Sequence, residues 1–231
     1  MTDVPPATTR PADDAAYRGA LTDVLGVLAH GSLMASLRMA ADADLAPTLG
    51  LKTAMAQLAF AEFKAFSDLT NHMRGEGIDP QQAMAPFVVP FAAFHERTRP
   101  SDWLEALVKA YVGEGVAKDF YRELAGFVDE RTMVAMTAAL DESDEAEFIV
   151  PVVRAALVTD PRTVGRLSLW GRRLMGEALS QAQAVAVERD ALANLLVGGE
   201  ADLTQVGDMF ARLRERHLDV PGQEVGSSVG A

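Results

Sequence analysis

The sequence contains no cysteine among its 231 residues. Disulfides and thiolate metal sites are therefore excluded, and the absence fits a reducing compartment. No uninterrupted apolar run reaches the length of a membrane span. The first residues, MTDVPPATTRPADD, lack the basic and apolar regions of a signal peptide. We therefore expect a cytoplasmic protein without a membrane segment.

Basic residues are few relative to acidic ones. The chain has 21 Lys and Arg against 33 Asp and Glu, which gives a net charge of −12. This charge opposes non-specific attraction to nucleic acid, so nucleic acid is not an expected partner, although a local basic face could still bind it. The hydrophobic fraction of 49% is sufficient for a well-buried core.

Most of the chain carries apolar residues at helical spacing, and no segment has a convincing strand pattern. The sequence therefore predicts an all-α protein. Residues 78–100 contain four prolines and predict a long crossover with short helical pieces. The other predicted helices span 13–43, 47–74, 101–127, 129–159, 161–197 and 202–217.

These helices predict one domain over residues 13–217. Residues 1–12, rich in Pro, Thr and Ala, are expected to be flexible, and residues 218–231 to form a disordered tail. Ser101 is predicted to cap the third long helix and Asp129 to start the fourth. Pro151 is predicted to kink that fourth helix.

The second long helix carries a charged residue in the middle of its apolar stripe. The stripe, in steps of three and four residues, comprises Leu51, Met55, Leu58, Glu62, Ala65, Leu69 and His72. A carboxylate on a core face is costly unless it is paired, protonated or bound to a cation. Pairing with a basic residue of another helix is one interpretation of Glu62.

A second interpretation comes from the neighbouring helices. The polar interruptions of the first four long helices all lie near the helix midpoints, at Ser32, Glu62, Glu114 and the pair Glu142 and Glu145. Middle residues share a layer in an antiparallel bundle, so these side chains could converge. Two helical hairpins joined by a long crossover are the connectivity of ferritin-like four-helix bundles, which hold metals with Glu and Glu-x-x-His ligands. A long fifth helix and a short C-terminal helix would complete this fold.

Two segments strengthen the comparison, MAPFVVPFAAFHERTRPSDWLEALVKAYVGEGVAKDFYREL and GRLSLWGRRLMGEALSQAQ. They resemble the actinobacterial ferritin-like group related to the hydroxylase of methylthio-isopentenyl-adenosine in tRNA, the MiaE-like group. The resemblance covers roughly residues 20–197. It implies a ferritin-like fold and, for intact members, a carboxylate-bridged di-iron centre that activates oxygen.

The ligand pattern implied by this resemblance is incomplete in the first two helices. The family has Tyr-Gly-Glu where this chain has His30, Gly31 and Ser32. It has Glu-x-x-His in the second helix, where Glu62 is kept and Ala65 stands at the His position.

The other two helices complete the comparison. The acidic residue of the third helix is supplied by Glu114. The acid-x-x-His of the fourth helix is matched by Glu142, with Glu145 in place of His. One carboxylate and both imidazoles of the implied ligand set are therefore missing.

We interpret the chain first as a ferritin-like protein with a degenerate metal site, acting as a non-catalytic binding module or as the partner of an intact paralogue. No cofactor is expected in this case, although an all-oxygen site would suit a hard divalent cation such as Mg²⁺, Mn²⁺ or Ca²⁺. Lys64 and Lys118 either replace part of the metal charge or are ordinary solvated lysines.

The alternative is an active hydroxylase with two iron ions and displaced ligands, acting on modified tRNA or another substrate. His30 and His72 are its replacement candidates. We expect both to be ordinary surface or helix-end histidines, since His30 points away from Ser32 and His72 lies roughly 10 Å along the helix from Ala65.

A third interpretation is an RNA-associated adaptor. It depends on a basic patch in the fifth helix formed by Arg162, Arg166, Arg172 and Arg173. The competing interpretation is that these arginines pair with the acidic segment DESDE, residues 141–145, or cover a neighbouring helix.

The fifth helix also predicts a contact between subunits. It is longer than a neighbour of the bundle requires, and it carries Leu167, Trp170, Leu174, Ala178 and Ala182 at helical spacing. A homodimer through this helix and a purely intramolecular role are both open, since one apolar stripe cannot serve two partners.

Overall fold

The structure is a computed structural model that describes residues 15–125, 128–141 and 145–188. All regular elements in these ranges are helical, so the predicted all-α class is confirmed. The helices are α1 (Ala15–Asp42), α2 (Leu49–Gly75), α3 (Pro80–Met84), α4 (Val88–Arg97), α5 (Trp103–Ala125), α6 (Glu130–Asp141), α7 (Glu145–Thr159) and α8 (Thr163–Glu188). The predictions for residues 1–12, 202–217 and 218–231 lie outside the described residues.

Side-chain caps fix where several helices begin. Thr48 accepts a hydrogen bond of 3.3 Å from the backbone N–H of Leu51 at the start of α2, and Asp129 accepts one from Thr132 at the start of α6, as predicted. The predicted cap of α5 is wrong by one residue. Asp102 accepts from the N–H of Glu105, whereas Ser101 donates both its N–H and its hydroxyl to the Glu105 carboxylate.

The predicted fourth helix, over residues 129–159, corresponds to two helices on either side of residues 142–144, which lie outside the described residues. α6 carries Met136 into the core and α7 carries Ile149. Pro151 lies inside α7, where its ring nitrogen cannot donate the usual helical hydrogen bond. The position of the predicted kink therefore lies inside α7.

α1 is the central helix of the fold. Of its residues 20–30, ten are buried and Thr22 is partly exposed, so this segment has almost no solvent-facing side. At Gly26 an added Cβ would lie 2.2 Å from the carbonyl oxygen of Ala83. The crossover can therefore approach α1 at this point only because Gly26 has no side chain.

α1 is also the one helix among the described residues that is long and apolar enough to span a membrane. Its candidate segment covers residues 17–45, and 67% of the most apolar window is buried inside the fold. Burial of that extent is typical of a core helix in a compact domain.

The core is divided along the bundle axis. A first cluster joins residues 20–29 of α1 to Ala65, Leu69 and Met73 of α2, with Phe87 of the crossover and Met136 of α6. The second cluster joins Met39 of α1, Met55 and Ala59 of α2, Leu107 of α5 and Ile149 of α7. The polar residues that interrupt the predicted stripes of α1 and α2, Ser32 and Glu62, lie between the two clusters.

α8 packs lengthwise on α5. Trp170, Leu174 and Met175 of α8 form a third cluster with Val112 of α5. Trp170 also donates a hydrogen bond of 2.9 Å to the carbonyl oxygen of Glu105. Leu167, Trp170 and Leu174 of the apolar stripe predicted in the fifth helix are therefore buried within the chain, and Ala178 is partly buried.

Candidate functional site

The predicted polar layer lies at the boundary between the first two apolar clusters. Ser32 is 8% exposed and Ala65 is 4% exposed, so the two positions at which the resemblance implies Glu and His are interior positions. Glu62 is partly buried and lies on the same stripe of α2, between Ala59 and Ala65. The inward orientation of the Glu62 carboxylate stays a prediction.

The remaining predicted acids are described only in part. Glu114 lies in α5 and Glu145 opens α7, but their side chains, and the whole of Glu142, lie outside the described residues. Convergence of all the carboxylates in one layer therefore stays a prediction. An added Cβ at Gly113, next to Glu114, would meet no described atom within 4 Å. No described helix approaches closely at this glycine.

The described donors do not fit a di-iron centre. At the positions that the resemblance implies as ligands, α1 supplies a hydroxyl at Ser32 and α2 supplies a carboxylate at Glu62, while Ala65 has no donor atom. Non-haem iron sites that activate oxygen combine imidazole and carboxylate ligands. Within the described part of the chain, no group of three or more His, Asp or Glu side chains is placed to hold a metal ion.

Of the two lysines considered for this layer, the structure describes the side chain of Lys64 but not that of Lys118. Lys64 forms an ion pair of 3.1 Å with Asp68 one turn away, and both side chains are 49% exposed. This contact lies on the solvent side of α2, away from a core layer. The side chain of Lys118 lies outside the described residues.

The two histidines considered as replacement ligands differ. His72 lies in the last turn of α2, within 3.3 Å of the Thr132 hydroxyl, as expected for a helix-end residue. The expectation for His30 is wrong, because His30 is only 6% exposed and lies in the middle of α1. The ring of Phe91 meets it edge-on at 5.2 Å between centroids. The prediction of a surface position was wrong because α4 covers this side of α1.

The structure contains a polar cluster that the sequence did not predict, and we call it the histidine–lysine cluster. It consists of His30 from α1, His95 from α4 and Lys109 from α5. His95 lies 6.5 Å from Phe91 and 5.2 Å from Phe94 between ring centroids. Lys109 donates a hydrogen bond of 2.7 Å to the Thr98 carbonyl oxygen, and its ammonium lies 5.9 Å from the Phe94 ring centroid.

The electrostatics of this cluster follow from burial and from an excess of basic groups. Burial, followed by the charges of Lys109, Arg38 and His30, lowers the pKa of His95 to about 3. Burial lowers the pKa of Lys109 to about 8, against the opposing effect of Asp42. Burial also lowers the pKa of His30. Both imidazoles are therefore neutral near pH 7.

Asp42 is the carboxylate in this neighbourhood. Burial raises its pKa, while Lys109 and Arg38 oppose that shift. His30, Arg38 and Asp42 follow one another at multiples of four residues, so they lie along one side of α1. This spacing was the available signal for the α1 part of the cluster, but it says nothing of the residues that α4 and α5 bring to it.

The arginines of the predicted basic patch have separate surroundings. Arg166 pairs with Asp102, which caps α5, and with Glu105 in the first turn of α5. Arg162 pairs with Asp160 beside it. Arg173 donates to the Arg97 carbonyl oxygen and lies 5.7 Å from the Trp170 ring centroid, while Arg172 is exposed.

The comparisons agree on the fold. The family described as "Ferritin-like domain, actinomycetes" matches residues 15–199. A search of curated proteins finds no match. A solved structure, "Protein 19 with aldehyde deformylating oxidase activity from Synechococcus", is similar with a TM-score of 0.66 and 19% identity, over 89% of this chain and 91% of that one. At this identity the similarity shows the fold alone. The predicted ferritin-like fold is confirmed.

Proposed function

From the premise that the chain belongs to the actinomycete ferritin-like domain family, we propose that it is a ferritin-like protein that has lost its di-iron site. It acts as a non-catalytic binding module or as the partner of an intact paralogue. The family related to the tRNA hydroxylase supplies the comparison on which the loss is judged. The chain keeps the fold of that family but has different side chains in the middle of the bundle.

The observation that carries this proposal is the burial of Ser32 and Ala65. Both are interior positions on the paired helices α1 and α2, at 8% and 4% exposure. The family resemblance implies Glu and His at these two positions, and neither residue here is a replacement ligand for iron. Interior placement matters because a surface substitution would leave the bundle interior unchanged, whereas these two remove donors from the inside.

Iron quantification tests the proposal most directly. The full chain is purified from cells grown in iron-rich medium, and iron is measured per mole of protein. We expect far less than one iron per chain. About two iron ions per chain, the content of a ferritin-like di-iron site, would contradict the proposal. A paralogue partner is tested separately by co-purification with an intact relative.

The runner-up function is a di-iron oxygenase or hydroxylase with displaced ligands. The observation that favours it is the buried imidazole of His30, whose Nε2 has no hydrogen-bond partner among the described residues. A modified tRNA nucleoside is the substrate that the sequence resemblance suggests for this alternative. Stoichiometric iron that falls on His30→Ala substitution would support it over the proposal above.

Subunit contacts and location complete the proposal. A homodimer through α8 would have to use its outer face, since Leu167, Trp170 and Leu174 are buried within the chain. Leu169, which is 63% exposed, lies on that outer face. A cytoplasmic location is proposed from the lack of cysteine.

A further inference from the structure

Two imidazole nitrogens of the histidine–lysine cluster have no partner among the described residues, His30 Nε2 and His95 Nδ1. His30 itself is 6% exposed. Native proteins pair nearly all buried polar atoms with protein groups, water or ligands. The third such atom, Trp103 Nε1, belongs to the second apolar cluster. Two unpaired nitrogens in one polar cluster therefore indicate a missing partner there.

The charges around these nitrogens decide the kind of partner. Lys109 and Arg38 are close enough to act on His95, and Arg99 also acts on Lys109. Asp42 is the one carboxylate among the groups that shift these residues. A metal cation would be repelled by the lysine and the arginines, whereas an anion would be attracted to them.

We propose that the histidine–lysine cluster is a binding site for a small carboxylate ligand. One carboxylate oxygen accepts a hydrogen bond from His30 Nε2 and the other from His95 Nδ1, each imidazole donating as the matching tautomer. The Lys109 ammonium lies beside the bound carboxylate and keeps its hydrogen bond to Thr98. The ligand's apolar part contacts the Phe91 and Phe94 rings.

A ligand reaches the site past α4, which is a surface helix. No residue of α4 is buried, although Phe91, Phe94 and His95 are each partly covered against the bundle. A ligand that enters the cluster therefore has to displace or pass one surface helix and not a core helix.

The site is independent of the proposed loss of iron. His30 and Ser32 are two residues apart on α1, which separates their side chains by about 200° around the helix. The carboxylate site uses the side of α1 that faces α4 and α5, and it includes neither Glu62 nor Ala65. Iron content and carboxylate binding can consequently succeed or fail separately.

The test is a titration of the full chain with ¹³C-labelled acetate, followed by NMR, at constant ionic strength set with chloride. We expect saturable binding to the unmodified protein. His95→Phe and Lys109→Met, on separate helices, should each weaken it by about 10-fold or more, the usual effect of losing a hydrogen bond or a charge next to an anion. His95→Gln, which keeps an N–H donor, should weaken it less than His95→Phe. His72→Gln is the matched control and should bind as the parent does.

Three results overturn the proposal. The first is no saturable acetate binding to the unmodified chain. The second is binding that His95→Phe and Lys109→Met leave unchanged while circular dichroism shows both variants folded. The third is tighter binding of inorganic phosphate than of acetate, which would assign the site to a different anion. If one variant does not fold, the other variant and the unmodified chain still decide the outcome.

Discussion

The guanidinium of Arg166 lies 2.5 Å from the carboxylate of Glu105, which joins the first turn of α8 to the first turn of α5. Glu105 is only 8% exposed, so Arg166 and Ser101 replace the water that would otherwise solvate its carboxylate. We predict that Arg166→Ala lowers the free energy of unfolding by about 1 kcal/mol, since Ser101 still satisfies part of the carboxylate. Chemical denaturation measures the change. The neighbouring exposed Arg172→Ala should change stability by less than about 0.5 kcal/mol, and equal effects would contradict the assignment.

Gly26 is predicted to be the least replaceable glycine of the described helices. A Cβ there would lie 2.2 Å from the Ala83 carbonyl oxygen, and a backbone atom cannot give way as a side chain does. Gly26→Ala should lower the melting temperature, with a cost of about 1–3 kcal/mol from forcing α1 and α3 apart. Gly176→Ala in α8, where an added Cβ meets nothing within 4 Å, should instead raise stability by up to about 1 kcal/mol. Thermal melts of the two variants compare the predictions.

His95 is predicted to make stability fall in acid. Its pKa is about 3 in the folded chain against 6.5 for an ordinary histidine, so the unfolded state binds the additional proton between these values. Unfolding free energy should therefore be unaffected by His95 above pH 6.5 and decrease as the pH falls below it, by at most about 1.4 kcal/mol per pH unit.

His95→Leu tests this dependence. The difference in unfolding free energy between variant and parent, measured from pH 7 to pH 4, should shift in favour of the variant as the pH falls. A difference that stays constant over this range would contradict a neutral, buried His95.

Restored ligands are predicted to recover iron. The triple variant Ser32→Glu, Ala65→His and Glu145→His should bind iron that the parent does not, because each ligand adds to the coordination free energy and Glu62 and Ala65 keep the i, i+3 spacing. It should also lose stability without metal, since bulk and charge enter an interior layer. Iron per chain is the measurement. A folded triple variant without iron would show that these positions do not share one layer.

A homodimer through the outer face of α8 is the last prediction. Light scattering at micromolar concentration should give twice the chain mass of 24.7 kDa. Leu169→Glu should then dissociate the dimer, whereas Val158→Glu, which is also at an exposed apolar residue, should not. A monomeric parent under these conditions rules the dimer out.

Sequence patterns predicted much of this fold because its helix ends are local. Asp129 and the prolines of the crossover act through the backbone next to them, so their effect can be predicted without the tertiary structure. The stripe of α2 was predicted for a similar reason, since helical spacing alone fixes which residues share a face. The position of Glu62 on that stripe follows from the same rule.

The histidine–lysine cluster could not be predicted in this way. His95 lies in a proline-interrupted crossover, and only the packing of α4 over α1 and α5 brings it near His30 and Lys109. The pairing of Glu105 with Arg166 depends likewise on how α8 packs along α5, over 61 positions in the sequence. Residues 20–30 of α1 show the same limit, because burial around almost the whole helix requires neighbours from several helices.

The near-complete burial of residues 20–30 of α1 has a consequence for synthesis. Of the described helices α1 is made first, and its covering residues, such as Leu69, Phe87 and Met136, are made later, the last about a hundred residues further along the chain. The nascent chain therefore exposes a helix that is long and apolar enough to enter a bilayer before the helices that cover it have been made. Folding of this protein in the cell thus depends on what contacts the apolar surface of α1 during translation.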